Sequence, residues 1–151
     1  MHTDSIKVKG TFELKLIDAV TGKVTYEYSD HNLYVDLGRS NIVHLLGGAA
    51  TGHAITIIGV GLSGATPTTA DTTLTSGYTK VLNSAGTVNV YTSTTIQFGY
   101  QFDTTEANGM NIREFGLFNS ASVLCARKTL TVPIVKTSAF AIAGTWTLLV
   151  G

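Results

Sequence analysis

Apolar and polar residues alternate from Ile6 to Asp18. Ile6, Val8, Phe12, Leu14 and Leu16 fall on one side of a period-two pattern, and Lys7, Lys9, Thr11, Glu13 and Lys15 on the other. Side chains of a strand point alternately to its two faces, so this pattern predicts a half-buried β-strand. Ala19–Lys23 interrupts it with Thr21-Gly22, and Val24, Tyr26 and Tyr28 resume the alternation, so residues 6–29 are predicted to form a hairpin. Asp36 then stands as an N-cap before LGRSNIVHLL, where Leu37, Ile42, Val43, Leu45 and Leu46 suit one helical face, and Gly47-Gly48 supplies a left-handed stop. This is the one short α-helix expected, near residues 36–46.

Further along, Ile55–Ile58 predicts a short strand, and Gly59–Ser76, rich in Gly, Thr, Ser and Pro without periodicity, predicts a long surface loop. Such a loop cannot fix itself by apolar burial, so it is expected to be mobile alone and ordered against a neighbour. Tyr78–Asn83 and Thr87–Tyr91 flank Ser84-Ala85-Gly86 as a second hairpin. Ile96, Phe98, Tyr100 and Phe102 mark a strand that ends in the polar turn Asp103–Gly109. Met110–Phe118 and Val123–Val132 surround the turn Asn119–Ser122. Phe140, Ile142, Gly144, Trp146, Leu148 and Val150 share one face of the last strand. Eight to ten strands and short turns predict an all-β fold, an antiparallel β-sandwich or jelly roll, with residues 1–151 as one domain.

Turn length sets register in a hairpin. If Asn119–Ser122 closes as a two- or four-residue loop, Phe118 opposes Val123, Gly116 opposes Cys125, Ile112 opposes Thr129 and Glu114 opposes Arg127. Glu114 and Arg127 both lie among apolar neighbours, which predicts a partly buried structural ion pair.

Composition narrows the function classes. Ten basic and ten acidic residues cancel to a formal charge of zero, and charged residues make up only 13% of the chain. Without a basic excess to neutralise phosphates, nucleic-acid binding is not expected, and no polybasic stretch recommends a membrane surface. Cys125 is the only cysteine, which rules out an internal disulfide framework and any multi-cysteine zinc site. The opening MHTDSIKVKG has no hydrophobic run of signal-peptide length, and no window approaches 18 apolar residues. Synthesis and assembly inside the cell are therefore expected.

Candidate chemistry is sparse. Gly59-Val60-Gly61-Leu62-Ser63-Gly64 is a literal G-x-G-x-x-G after a strand, but Ala65-Thr66-Pro67 cannot open the helix whose amides would hold a pyrophosphate, and no acid stands near Val81 or Leu82. The flexible-loop reading is favoured. His2, His31, His44 and His53 lack the paired spacing of metal ligands. Ser63 lacks the flanks of a nucleophile elbow. Cys125 sits in an alternating strand and reads as a buried thiol. Asp103, Glu106 and Glu114 could pair as acid and base, although two of them lie in a turn where solvation is the default. Phe98, Tyr100, Phe102 and Trp146 could stack a sugar, but their strand spacing favours core. No catalytic, cofactor or metal residues are assigned. The candidate contact loop comprises Gly59, Gly61, Ser63, Gly64, Pro67 and Asp71.

A resemblance adds to this reading. The order His31-Asn32-Leu33, then Gly38 and the helix ending Leu45-Leu46-Gly47-Gly48, then Ile58-Gly59-Val60-Gly61 with Pro67 and Asp71-Thr72-Thr73-Leu74, resembles small structural proteins of tailed-bacteriophage virions. The run from Glu106 to Phe118, followed by Leu124-Cys125-Ala126-Arg127, belongs to the same resemblance, which covers roughly residues 10–150. It implies a β-rich, non-enzymatic particle protein. Related modules occur as capsid decoration proteins and as tail or fibre components. The lack of a fibrous repeat favours a capsid decoration (cement) protein that stabilises the head. A tail, collar or fibre-associated protein is the alternative, and a carbohydrate-binding β-sandwich a further one. The implied partners are the major capsid protein or tail proteins of the same virion and further copies of the chain, and the implied location is the virion, assembled in the host cytoplasm.

Overall fold

The computed structural model describes residues 5–83 and 88–151. Its strands are β1 (Val8–Asp18), β2 (Val24–Tyr34), β3 (Ile55–Gly61), β4 (Tyr78–Val81), β5 (Asn89–Tyr91), β6 (Thr95–Phe102), β7 (Asn111–Asn119), β8 (Leu124–Val135) and β9 (Phe140–Val150), and helix α1 (Asp36–Leu46) joins β2 to β3. All pairings are antiparallel, in the order β4-β3-β7-β8-β2-β1-β9-β6-β5. The fold is all-β with a single helix among the described residues.

The sheet curls until its two halves face each other. β2 is the corner: it runs along β1 for most of its length and joins β8 only through Leu33 and Tyr34. Phe12 on β1 packs 4.8 Å, ring centroid to ring centroid, from Phe115 on β7, and Tyr78 on β4 lies 6.2 Å from Phe102 on β6. Strands far apart in the order thus share a sandwich interior. Trp146, Tyr100, Phe12, Phe102 and Phe115 are fully buried there. Their two polar tips are satisfied: Tyr100 donates to the Glu13 carbonyl at 2.7 Å and the Trp146 indole donates to Asn32 Oδ1 at 2.9 Å. Burying rings this large contributes most of the apolar driving force, roughly 1.5–3 kcal/mol for each fully buried large side chain. The four aromatics weighed as a sugar platform are therefore core.

Three expectations are corrected. The hairpin predicted over residues 78–91 does not form: β4 pairs with β3 and β5 with β6, at opposite ends of the sheet. Its turn, Ser84-Ala85-Gly86, lies in part of the chain outside the described residues. Each short strand takes a longer partner, and sequence neighbours need not pair.

Helix α1 spans the predicted residues, but Val35 is its N-cap and makes no side-chain cap. Asp36 instead sits in the first turn and pairs with Arg39 at 3.2 Å. The buried residues are Gly38 and Asn41, while Leu37, Val43, Leu45 and Leu46 are exposed. A Cβ on Gly38 would collide with the Cys125 carbonyl, so the helix docks through the residue with no side chain. Asn41 holds the neighbouring loop with both ends of its amide, donating to the His53 carbonyl at 2.8 Å and accepting from the His53 amide at 2.9 Å.

The β7–β8 register also differs from the arithmetic. Asn119 N–H donates to the Val123 carbonyl, which closes a three-residue loop, and Phe118 opposes Leu124. A bulge then sets Leu117 against Ala126, Gly116 against Arg127 and Glu114 against Thr129. Loop and bulge each slip the register by one. A slip of one exchanges the two faces of a strand, and a slip of two restores them. Glu114 and Arg127 consequently stay on a common face as diagonal neighbours.

Candidate functional site

The best-organised polar constellation lies where β3, β7 and β8 meet the long loop. Gly59 and Gly61 are not loop residues, since both lie in β3 and are buried. A Cβ at Gly61 would collide with the Glu114 carboxylate. The glycine pattern after Ile58 thus makes room for a buried acid, and the segment that follows is loop leading to β4 with no helix.

Arg127 and Glu114 are the centre, with side chains 4% and 1% exposed. Arg127 Nε donates to Glu114 Oε2 at 2.8 Å, and its terminal nitrogens donate to Asp71 Oδ2 at 2.7 Å and to the Ser63 carbonyl at 3.4 Å. Glu114 Oε1 accepts the Ser63 amide at 3.1 Å and the Thr75 amide at 2.7 Å. Asp71 closes a local turn by accepting the Thr68 amide and hydroxyl at 3.0 and 2.9 Å. Burial pushes the Asp71 carboxyl up, but the Thr68 amide and the Arg127 guanidinium outweigh it and leave it below the usual carboxylate range.

One guanidinium and two carboxylates therefore fasten both arms of a loop that has almost no apolar anchor of its own. Leu74 is the exception, buried against Phe118 and Leu124. Of the candidate contact residues, Ser63, Pro67 and Asp71 are half-buried and Gly64 is exposed. The expectation of a loop loose by itself considered apolar burial alone; these fastenings are polar.

Other candidate residues are dispersed. Glu106 receives Lys80 Nζ at 2.7 Å, Asp103 accepts the Thr105 hydroxyl at 2.6 Å, and Glu114 is held by Arg127, so the three carboxylates serve separate partners. Among the described residues, no three His, Cys, Asp or Glu side chains gather closely enough to hold a metal ion. His44 meets Thr51 Oγ1 at 3.0 Å on the helix flank, and His31 lies on β2. Cys125 is buried, and burial pushes its thiol up to about 11, which suppresses the reactive thiolate.

Sequence reasoning missed Asp71 as the second acid on Arg127. It also missed the buried Asn41–Asn119 bond of 3.0 Å and the 2.6 Å bridge from Lys128 to Asp30. Asp71 lies 56 residues from Arg127, and only the loop's return path could reveal the contact.

At the sheet edges the polar guard is thin. β4 exposes Tyr78 and Val81, and β5 exposes Val90 and Tyr91, with no proline in either strand. The one charge on these strands, Lys80, is turned inward onto Glu106 and the Gln101 carbonyl. Comparison with known proteins returned no matching family model, no matching curated protein and no matching solved structure.

Proposed function

We propose that this chain is a non-enzymatic structural protein of a tailed-bacteriophage virion, acting as a capsid decoration (cement) protein that binds across head subunits. The observation that carries the reading is the apolar exposure of the two edge strands, Tyr78 and Val81 on β4 and Val90 and Tyr91 on β5. Proteins that live alone blunt their edge strands by keeping them very short, or with charge, proline or a covering loop, because an open row of amides and carbonyls recruits further strands. Here the edge strands are short, at four and three residues, but among the described residues both carry exposed apolar side chains and direct no charge outward. Edges of this kind are suited to being covered by neighbours in an assembly. The loop fastened by Arg127 and Glu114 adds a second surface held at both arms, and the resemblance of its sequence to small virion proteins supplies the setting.

Sedimentation with particles tests this. A cement protein co-sediments with purified heads and raises their disruption temperature, because a ligand of the assembled state stabilises that state by mass action. Recovery with tails, and absence from emptied heads, would replace it with the tail or collar reading. Thermal stabilisation by sugars without particle binding would replace both with a carbohydrate-binding module.

A further inference from the structure

Helix α1 turns its apolar side outward, and the chain leading into β1 runs beside it. Ile6, Val8, Ile42, Val43 and Leu46 line a groove of about 560 Å³ between the two. Ile6 is 71%, Val43 66% and Leu46 77% exposed. Val8 and Ile42 form the floor, half-buried and packed against the core, while Ile6, Val43 and Leu46 stand exposed around it. Contiguous apolar exposure of this kind marks a surface that meets a partner.

The rim gives the partner its chemistry. Lys7, Lys9 and Arg39 border the groove, and no acid lines it among the described residues. Arg39 is already shared with Asp36, at 3.2 Å on the open surface, while Lys9 on β1 and Lys7 just before it flank the apolar floor. In a chain whose charges cancel overall, three cations around one apolar floor are a local asymmetry. We propose that the groove docks an acidic amphipathic segment of a partner protein, its apolar side chains on the floor and its carboxylates on Lys7, Lys9 and Arg39. This is helix-in-groove recognition, with the basic rim selecting the sign of the partner. The assignment stands on this geometry and does not depend on where the protein resides, so head, tail or cellular partners would all satisfy it.

Displayed random twelve-residue peptides, selected on the full-length chain, test the proposal. Enriched sequences should combine large apolar residues with Asp or Glu. A synthesised winner should bind at least about tenfold more weakly to Val43→Glu and to the Lys7→Glu/Lys9→Glu double variant, a loss of about 1.4 kcal/mol or more. All three positions are exposed, so thermal unfolding of the variants should match the parent. Exchanging the peptide's acids for lysines should restore binding to the double variant. The proposal is overturned if no peptide enriches, if the winners are basic or uncharged, or if either variant binds unchanged. It is equally overturned if Val43→Glu abolishes a self-association of the chain, which would make a second copy the occupant. Binding to phosphatidylserine vesicles that the double variant loses, with no peptide binding, would assign the groove to a lipid surface.

Discussion

Two hairpins of this molecule are built from the same parts and put to opposite use. In β1–β2, the Asp18 side chain accepts the Val20 and Thr21 amides, Gly22 takes a left-handed φ of 68°, and one extra residue bulges β2 beside the turn, between Tyr26 and Val24. In β7–β8, the Asn119 side chain accepts the Ala121 and Val123 amides, Ser122 takes φ 62°, and one extra residue bulges β8 between Ala126 and Leu124. The first hairpin carries its charges in water, with Lys15 and Glu27 3.8 Å apart and largely exposed. The second carries Glu114 and Arg127 inside. Shared turn chemistry therefore fixes hairpin geometry, and the surroundings decide what a charge on it is worth.

The largest expected effect separates the two directly. Arg127→Met leaves Glu114 buried with its strongest partner gone and should cost about 3–5 kcal/mol, read as a lower urea midpoint at constant slope. Lys15→Met removes an exposed partner and should change stability by less than about 0.5 kcal/mol. In the Arg127→Met/Glu114→Gln double variant, the total loss should fall short of the sum of the single losses by roughly 0.5–3 kcal/mol. Additive losses would show that the two side chains act independently.

That contrast also explains what could be read from the chain alone. Strands facing water on one side announce themselves by alternation, as β1, β6 and β9 do, and α1 was legible from its glycine stop. The ion pair was legible as two charges in apolar company. Its register was not, because Asn119–Ser122 fits either a four-residue or a three-residue closure, and the bulge at Cys125 leaves no mark in hydropathy. Two slips happened to cancel in facing, so the side of the sheet was right where the partners were wrong. The apolar face of α1 misled for another reason. Periodicity locates a face but not what covers it, and here a glycine and an asparagine are the buried residues, with Ile42 alone of the predicted apolar face packed against the core. Asp71 was read only as a loop residue, because nothing local distinguishes an acid that closes a turn from one that also reaches a buried arginine.

A middle-sized effect should come from exchanging the two capping residues. Asn119 is buried and its amide donates to Asn41 Oδ1 at 3.0 Å. Asn119→Asp deletes that donor and places a carboxylate against a carbonyl oxygen, which should cost about 1–3 kcal/mol or more and loosen α1. Asp18→Asn keeps an acceptor on an exposed turn and should change stability far less. Hydrogen exchange in α1 is the discriminating measurement: faster exchange in the Asn119 variant and none in the Asp18 variant is expected.

Smaller again is an exchange of the left-handed residues. A side chain in this region costs roughly 1–2 kcal/mol, against which glycine loses about 0.5–1 kcal/mol through its freer unfolded chain. Gly22→Ser should therefore destabilise by about 1 kcal/mol or less and Ser122→Gly should stabilise by a similar amount, both visible in thermal unfolding. Equal signs would mean that one hairpin tolerates its turn for reasons other than backbone strain.

The smallest effect distinguishes the caps by acid. The Thr21 amide, followed by the Val20 amide and the Thr21 hydroxyl, holds the Asp18 carboxyl below its ordinary value of 3.8. A group whose folded value is depressed stabilises the folded state above its unfolded value, and that contribution fades as pH falls through the folded one. The β1–β2 turn should loosen only below about pH 4, the ordinary carboxylate range, while the Asn119 turn, whose cap carries no proton to gain, should not respond. Asp30 behaves similarly: its bond to Lys128 and the His31 amide bring its carboxyl down to about 2, so the strap between β2 and β8 should outlast the turn as acid is added. Because Asp30 is half exposed, salt should weaken that strap. Amide shifts of Val20, Thr21, Ala121 and Val123 followed from pH 6 to 2 would report this order. Movement of Ala121 and Val123 together with Val20 and Thr21 would mean that the two turns are coupled through the sheet and are not titrating by their own caps.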